Sequence, residues 1–165
     1  GGYLAKNFHG MPLIIQVKIN YYQGTINWRD YEMIEKIKDK SGNVIAIIIR
    51  ESFEKKGVNF ISRKDFPLQL GVNIYSKGHI IKAHIHKRRN IKINKIQEVV
   101  HVERGRVKVD LYDLNAEKVR TVKLSTGDTI LFINGGHGFE ILEDTKIIEV
   151  KQGPYLGKEE DKIYL

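Results

Sequence analysis

Short stretches in which hydrophobic and polar residues alternate fill the chain from residue 43 onward. Such a period of two is typical of a β-strand with one face buried. Turn residues such as Gly57, Gly105 and Gly127 separate the stretches at near-regular intervals, a pattern that predicts a sandwich or barrel. The predicted strands are 44–50, 59–62, 68–75, 79–86, 98–103, 106–112, 119–124, 129–133, 138–142 and 146–151.

The residues before this region follow a different pattern. Asn27 can cap a helix that begins near Trp28, and Tyr31, Ile34 and Ile37 recur at helical spacing. Lysines at 36, 38 and 40 gather toward its predicted end, and Ser-Gly-Asn at 41–43 stops it. We therefore predict an N-terminal extension over 1–42 that contains one helix, followed by an all-β domain over 43–165.

Length and composition limit the number of domains and the kinds of cross-link and metal ligand that the chain can have. The chain has 165 residues, which suits one domain, and it has no cysteine, so disulfides and thiolate metal ligands are excluded. No stretch approaches the about 20 apolar residues that cross a bilayer. Residues 1–11 lack the basic and apolar regions of a signal peptide. We expect a cytoplasmic protein that does not engage membranes.

The net charge of +8 raises the question of a nucleic-acid partner. Lysine and arginine are mixed with acidic residues along much of the chain, and the densest basic cluster is Lys-Arg-Arg at 87–89. No nucleic-acid-binding motif accompanies that cluster. We expect a solvated basic surface; a third interpretation is that the cluster faces an anionic small molecule.

Strand alternation sorts the histidines. His84 and His86 share one face of the predicted strand 79–86, while His79 takes the other. A His-x-His pair points two imidazoles the same way, about 7 Å apart along the strand, which suits a common metal ion. On the next strand Glu98 and His101 fall on opposite faces, so His79 and His101 are set aside as surface or interface residues.

These residues also form a motif. Gly78-x5-His84-x-His86 followed by Glu98-x6-Gly105 resembles the first cupin motif, G-x5-H-x-H-x3or4-E-x6-G. Residues 87–97 replace the usual three or four between the second histidine and the glutamate, and are interpreted as a lengthened loop.

The segment 127–137, which ends in Gly135-Gly136-His137, resembles the second cupin motif, G-x5-P-x-G-x2-H-x3-N. Ile133 stands where that motif has proline, and the histidine comes one residue early. Either Glu140 or no residue replaces the final asparagine. The resemblance to the cupin superfamily implies a jelly-roll β-barrel around these motifs.

By this resemblance, one divalent metal ion would be held by His84, His86, Glu98 and His137. Three imidazoles and a carboxylate suit Fe, Mn, Ni, Co or Zn. The alternative is that the four side chains are satisfied polar groups in a barrel that holds no metal.

Other residues are candidates for the surroundings of the metal. As acid–base groups we consider Glu140, Lys82 and Tyr75; as substrate-binding groups, Gln69, Asn73, Arg88 and Arg89. The sequence at 151–155, Lys-Gln-Gly-Pro-Tyr, together with residues 135–140 is similar to uncharacterised cupins that often accompany surface-polysaccharide or nucleotide-sugar genes. Lys151 and Tyr155 are weaker candidates on that basis.

The resemblance implies a metal-dependent enzyme that acts on a small polar substrate, sugar-like or carboxylated. The reaction would be isomerisation or epimerisation, or O2 chemistry. The alternative is a non-catalytic binding module for a sugar or a metal ion. Cupin barrels commonly pair, so the resemblance implies a homodimer. We expect a small-molecule ligand in the barrel and no nucleic-acid partner.

Overall fold

The structure is a computed structural model and describes residues 33–165. These residues form ten strands and one short helix. They are β1 (Ile34–Lys38), β2 (Val44–Ile49), β3 (Gly57–Phe60), β4 (Gly71–Ile74), β5 (Glu98–Arg104), β6 (Arg106–Tyr112), β7 (Lys118–Ser125), β8 (Thr129–Phe132), β9 (Gly136–Ile141), β10 (Lys146–Lys151) and α1 (Lys158–Asp161). The prediction of an all-β protein is confirmed.

Two antiparallel sheets carry the core. One has five strands in the order β1-β2-β8-β5-β10, and the other has three in the order β7-β6-β9. Their facing side chains form one buried cluster, with Val100 and Ile130 from the larger sheet against Val109 and Leu124 from the smaller. Alternation along the strands gives each sheet this apolar face, and its burial stabilises the sandwich.

The outer face of the five-stranded sheet is covered as well. Leu131 and Ile47 point outward there and pack against Phe66, Leu68 and Leu70, from the chain between β3 and β4. Strands β3 and β4 pair only with each other in the described part of the chain and form a two-stranded sheet. Strands β2 and β8 of the larger sheet are therefore buried on both faces, which explains the continuous apolar run of β2.

Arg50 joins the two sheets at one end of the sandwich. Its guanidinium lies 2.9 Å from the Asp128 carboxylate and 2.9 Å from the Lys123 carbonyl oxygen on β7, and it also pairs with Glu35 on β1. The Asp128 carboxylate accepts from the backbone amide of Ser125 as well. Charge-assisted hydrogen bonds thus link β1, β2 and the turn before β8 to the neighbouring sheet.

The predicted N-terminal helix is wrong where it can be compared. Residues 34–38 form strand β1, which pairs antiparallel with β2. Ile34 packs on the outer face of the sheet and Ile37 in the core, as residues three apart must in a strand. The predicted boundary at residue 42 falls within this hairpin, and residues 28–32 lie outside the described part of the chain.

The predicted strand 79–86 is also wrong. Residues 75–97 connect β4 to β5 without regular secondary structure, and residues 75–96 are all exposed. Residues 33–165 contain no closed sheet, because the two main sheets are separate, so a closed jelly-roll barrel stays a prediction. Within the same residues, none of the helical structure has the length and apolar character needed to span a bilayer.

Candidate functional site

Glu98 and His137 meet at the end of the sandwich opposite Arg50. Glu98 is the first residue of β5 in the larger sheet, and His137 is the second residue of β9 in the smaller one. His137 Nε2 lies 3.6 Å from Glu98 Oε1, and both side chains are largely buried. The contact is too long for a hydrogen bond, so the two groups converge on the same space without satisfying each other.

The turn before β9 sets the position of His137. Gly135 has a φ of +81°, and a Cβ there would collide with the carbonyl oxygen of Tyr112. A glycine is therefore required for the chain to pass this close to β6. The next residues enter β9 in register with β6, so that His137 lies opposite Leu111 and points into the sandwich.

Two aromatic side chains hold the His137 ring. The ring stacks on Phe132, with centroids 3.9 Å apart and planes inclined by 18°. Phe139 meets it edge-on at 5.5 Å. Phe132 is in turn the register partner of Glu98 in the larger sheet. The imidazole is thus packed in one orientation beside the carboxylate, in apolar surroundings.

Burial sets the protonation of the pair. It lowers the pKa of His137 to about 4, and the positive charge of Lys162 acts in the same direction. Burial also raises the pKa of Glu98, as does the negative charge of Glu149, while Lys162 and Lys151 oppose that change. The imidazole is neutral near pH 7 and keeps a free nitrogen lone pair, the form that binds metal ions.

This pair fits part of a metal site. Nitrogen and oxygen ligands lie about 2.0 to 2.2 Å from Zn²⁺, which places two ligands of one ion about 3 to 3.5 Å apart. The observed 3.6 Å between Nε2 and Oε1 is close to that separation. Between residues 33 and 165, however, no three or more His, Cys, Asp or Glu side chains are grouped so as to hold a metal ion.

The other two predicted ligands lie elsewhere. His84 and His86 are on the exposed connection between β4 and β5, with ring centroids 5.1 Å apart. His84 Nδ1 lies 2.9 Å from the carbonyl oxygen of Lys82. The structure therefore brings together Glu98 and His137 and leaves the His-x-His pair separate from them.

The predicted acid–base groups are not gathered at the pair. Glu140 points to the outer face of β9, away from His137, and forms an ion pair with Lys108. Tyr75 stacks on His79 with centroids 4.5 Å apart, on the exposed connection that also carries Lys82.

The predicted substrate-binding residues are equally dispersed. Gln69 donates to the carbonyl oxygens of Arg63 and Phe66 within its own loop. Asn73 is exposed on β4, and Arg88 and Arg89 are exposed between β4 and β5.

Of the two histidines set aside in the sequence analysis, only His101 lies on a strand and has the orientation that alternation predicts. His101 lies on the outer face of β5, where its Nδ1 is 2.9 Å from Thr129 Oγ1. His79, by contrast, is on the irregular connection and stacks on Tyr75.

The C-terminal residues near the pair were missed by the sequence reasoning. Lys162 is close enough to change the pKa of both Glu98 and His137. The Leu165 side chain packs beside Gly136, where an added Cβ would come within 2.8 Å of Leu165 Cδ1. Lys151, one of the weaker candidates, lies 3.2 Å from Asp161 and over the ring of Tyr155. The final residues thus border the Glu98–His137 pair, which no local pattern reveals.

Comparisons with known proteins identify no family. A scan against protein-family models found no match, and neither the search of curated proteins nor that of solved structures found a match to this chain. The likeness to cupins therefore rests on the motif residues alone.

Proposed function

We propose that the protein binds one divalent metal ion at Glu98 and His137, and that His84 and His86 complete the site. The observation that carries this proposal is the convergence of a neutral imidazole and a carboxylate from two different sheets in largely buried surroundings. A carboxylate in an apolar site gains most from a cation beside it. Its neighbour can ligate but is too weak a base to supply that charge near pH 7.

The connection between β4 and β5 makes the second half of the proposal feasible. It ends directly at Glu98, so His86 is twelve residues from that ligand along the chain. An extended chain covers about 3.3 Å per residue, far more than the width of the site. The two ligands lie on or next to strands at the edges of the sheets, since β9 is an edge strand and β5 is paired with the edge strand β10.

In this proposal the protein is a metal-dependent enzyme for a small polar substrate, sugar-like or carboxylated. The metal ion would act as a Lewis acid on a substrate oxygen during isomerisation or epimerisation, or would bind O2. Phe132 and Phe139 would hold His137 in place and keep water from that side of the imidazole. The positive charge of Lys162 would attract an anionic substrate to the entrance.

A second candidate is a metal- or sugar-binding module without catalysis. It is favoured by Glu140, which pairs with Lys108 on the outer face of β9 and so is not a neighbour of His137. Assays for sugar isomerisation and O2 consumption with the ion added back to the metal-free protein would distinguish the two. Turnover that disappears in Glu98→Gln supports the enzyme.

The central test is metal binding by calorimetry, with Zn²⁺, Mn²⁺, Co²⁺ and Ni²⁺ titrated into protein stripped with EDTA. We expect one ion per chain, and a loss of affinity of about 100-fold in Glu98→Gln, in His137→Gln and in the double variant His84→Gln/His86→Gln, as one or two ligands are removed. His101→Gln is the matched control, because that ring lies on the outer face of the same strand, and its affinity should be unchanged.

The outcomes separate the parts of the proposal. If the folded wild-type protein takes up no divalent ion, the metal site is refuted. If Glu98→Gln and His137→Gln lose affinity but the His84→Gln/His86→Gln variant does not, the recruitment of the His-x-His pair is refuted. An equal loss in His101→Gln would show that the variants act through general destabilisation.

A further inference from the structure

The connection between β4 and β5 has an unusual composition for an exposed segment. Over residues 77–96, hereafter the basic segment, every residue is exposed and none is acidic. Its charged side chains are Lys77, Lys82, Lys87, Arg88, Arg89, Lys92 and Lys95. Its isoleucines are Ile80, Ile81, Ile85, Ile91, Ile93 and Ile96, and they are 46 to 95% exposed.

The segment holds most of the excess charge of the protein. Seven of the eight net positive charges of the chain lie in these 20 residues, so the other 145 residues are close to neutral. None of the seven cations forms an ion pair with another residue between 33 and 165; Lys95 lies over the ring of Phe66. The charge is therefore available to an external anion.

The apolar side chains of the segment continue onto the neighbouring hairpin. A surface groove brings Ile81 and Tyr75 beside Val58 of β3, with Lys56 and Lys77 at its border. Phe60, on the same strand as Val58, is 63% exposed. Apolar side chains of the segment and of the hairpin thus share one groove with two lysines, which marks a candidate contact surface.

We propose that the basic segment binds the surface of an anionic lipid bilayer. Lysine and arginine side chains would pair with the headgroups, each adding attraction near a negatively charged leaflet. The exposed isoleucines would enter the boundary between headgroups and acyl chains and so leave water. The lack of a spanning segment in the sequence is compatible with this contact, because a protein that lies on a bilayer surface needs no such segment.

The isoleucines decide between a bilayer and a nucleic acid. A nucleic acid would use the cations, but it offers phosphates and base faces, which are matched by aromatic side chains and arginine. Residues 77–96 contain no Phe, Tyr or Trp, and the adjoining surface adds two aromatic rings, Tyr75 and Phe60, against six isoleucines in the segment. Six exposed isoleucines gain nothing from phosphates, whereas an acyl-chain boundary removes their surface from water.

The proposal is independent of the metal site. It needs the cations and isoleucines of the segment, whereas metal binding needs His84 and His86. Lipid binding is therefore measured in EDTA, and a failure of either proposal leaves the other standing.

The test is co-sedimentation of the full chain with vesicles of phosphatidylcholine alone or mixed with phosphatidylglycerol. We expect binding only to the anionic vesicles, and binding that weakens as NaCl rises from about 0.1 M to about 0.5 M, because screening shortens the range of the attraction. Lys87→Gln/Arg88→Gln/Arg89→Gln should weaken binding at least about tenfold, since each cation contributes near the surface. Ile80→Gln/Ile81→Gln/Ile85→Gln should weaken it without changing the charge.

Matched controls replace exposed residues outside the segment. Lys36→Gln/Lys38→Gln/Lys123→Gln removes three exposed charges from strands, and Leu114→Gln/Ile163→Gln removes two exposed apolar side chains. Both should bind anionic vesicles at least several-fold more tightly than the corresponding segment variants. All substituted side chains are exposed, and circular dichroism will check that each variant folds.

Three results would overturn the proposal. One is equal binding to neutral and anionic vesicles, or none to either. Another is the same loss in the control variants as in the segment variants. The third is tight binding of a single-stranded oligonucleotide, measured by fluorescence anisotropy, together with no binding to anionic vesicles. That result would mean that the basic segment binds nucleic acid.

Discussion

Glu98 and His137 lie on strands that pair with other strands, whereas His84 and His86 lie on a segment that pairs with no strand of residues 33–165. Strand β5 is hydrogen-bonded to β8 on one side and β10 on the other, and β9 is paired with β6. Between residues 75 and 97 there is no strand pairing. Both regions carry predicted metal ligands, and in both the sequence alternates. Only β5 and β9 form regular strands.

The difference shows what alternation does and does not determine. It specifies which side chains share a face once a strand has formed. It does not supply the neighbouring strand whose backbone groups must be satisfied. In the segment 79–86, Lys82 shares one predicted face with the histidines, and the isoleucines of the other face, Ile81 and Ile85, are exposed. The alternation is therefore not accompanied by burial of either face. In the proposed site, metal binding by His84 and His86 would attach this segment to the sheets at two residues.

The largest contrast between the regions should appear in stability. Leu111 is the register partner of His137 and is fully buried. Leu111→Ala should lower the free energy of unfolding by about 2 to 5 kcal/mol, through lost burial and a cavity. Ile85→Ala, in the basic segment, should change it by less than about 0.5 kcal/mol. Urea unfolding measures both, and comparable losses would mean that the segment is packed in solution.

The pH dependence of stability isolates the buried pair. Burial lowers the pKa of His137 from 6.5 to about 4, so the unfolded chain binds more protons in that window. The stability of the metal-free protein should therefore fall as pH decreases from 6.5 toward 4, with a slope of up to about 1.4 kcal/mol per pH unit from this residue.

Glu98 acts with the opposite sign. Burial raises its pKa above the ordinary value of 4.5. The stability that Glu98 contributes is therefore present below pH 4.5 and is lost as pH rises through the folded-state pKa. Glu98→Gln should steepen the fall in stability on acidification, and His137→Phe should remove or reverse it. Urea unfolding at a series of pH values in EDTA measures this, and an unchanged slope in His137→Phe would contradict the buried, neutral imidazole.

Proteolysis connects the two regions. Trypsin should cut the metal-free protein first within residues 77–95, where seven exposed lysines and arginines lack regular structure. If His84 and His86 join Glu98 and His137 on a metal ion, saturating Zn²⁺ should slow cleavage there by about tenfold, because the ion holds the segment on the sheets. Mass spectrometry identifies the first site cut. Unchanged cleavage in the presence of bound metal would place both histidines outside the coordination sphere.

The smallest effect concerns the C-terminal residues beside the pair. Asp161 accepts from Leu156 N at 3.1 Å and lies 3.2 Å from Lys151 Nζ. Asp161→Asn weakens the second contact, and carboxypeptidase should then remove the last residues a few-fold faster than from the wild type. Glu160→Gln, which alters an exposed neighbouring acid, is the control and should digest at the wild-type rate.

Much of the sheet structure could be predicted from the sequence. Strands β2, β5, β6, β8 and β10 fall close to the predicted bounds, because each has either strict alternation or a short apolar run between turn residues. The inward orientation of Glu98 and the outward one of His101 also follow from alternation.

The errors have physical causes of their own. Ile34 and Ile37 fit a helical spacing, but in a strand they bury opposite faces of a sheet covered on both sides, which a local pattern cannot distinguish. His137 reaches Glu98 only because the turn at Gly135 passes close to Tyr112 and the two sheets stack. Lys162 and Leu165 lie near Glu98 and His137 through contacts between residues far apart in sequence, which a local pattern does not reveal.

The two ends of the sandwich are joined by different kinds of contact. At the Arg50 end, charge-assisted hydrogen bonds tie the two sheets together. At the far end, the three residues between β8 and β9 connect the sheets along the chain, and Lys40 pairs with Glu117 at the surface. Between these links Glu98 and His137 face each other without a hydrogen bond. A ligand that bridges Nε2 and Oε1 would therefore add an internal cross-link to the end that has none.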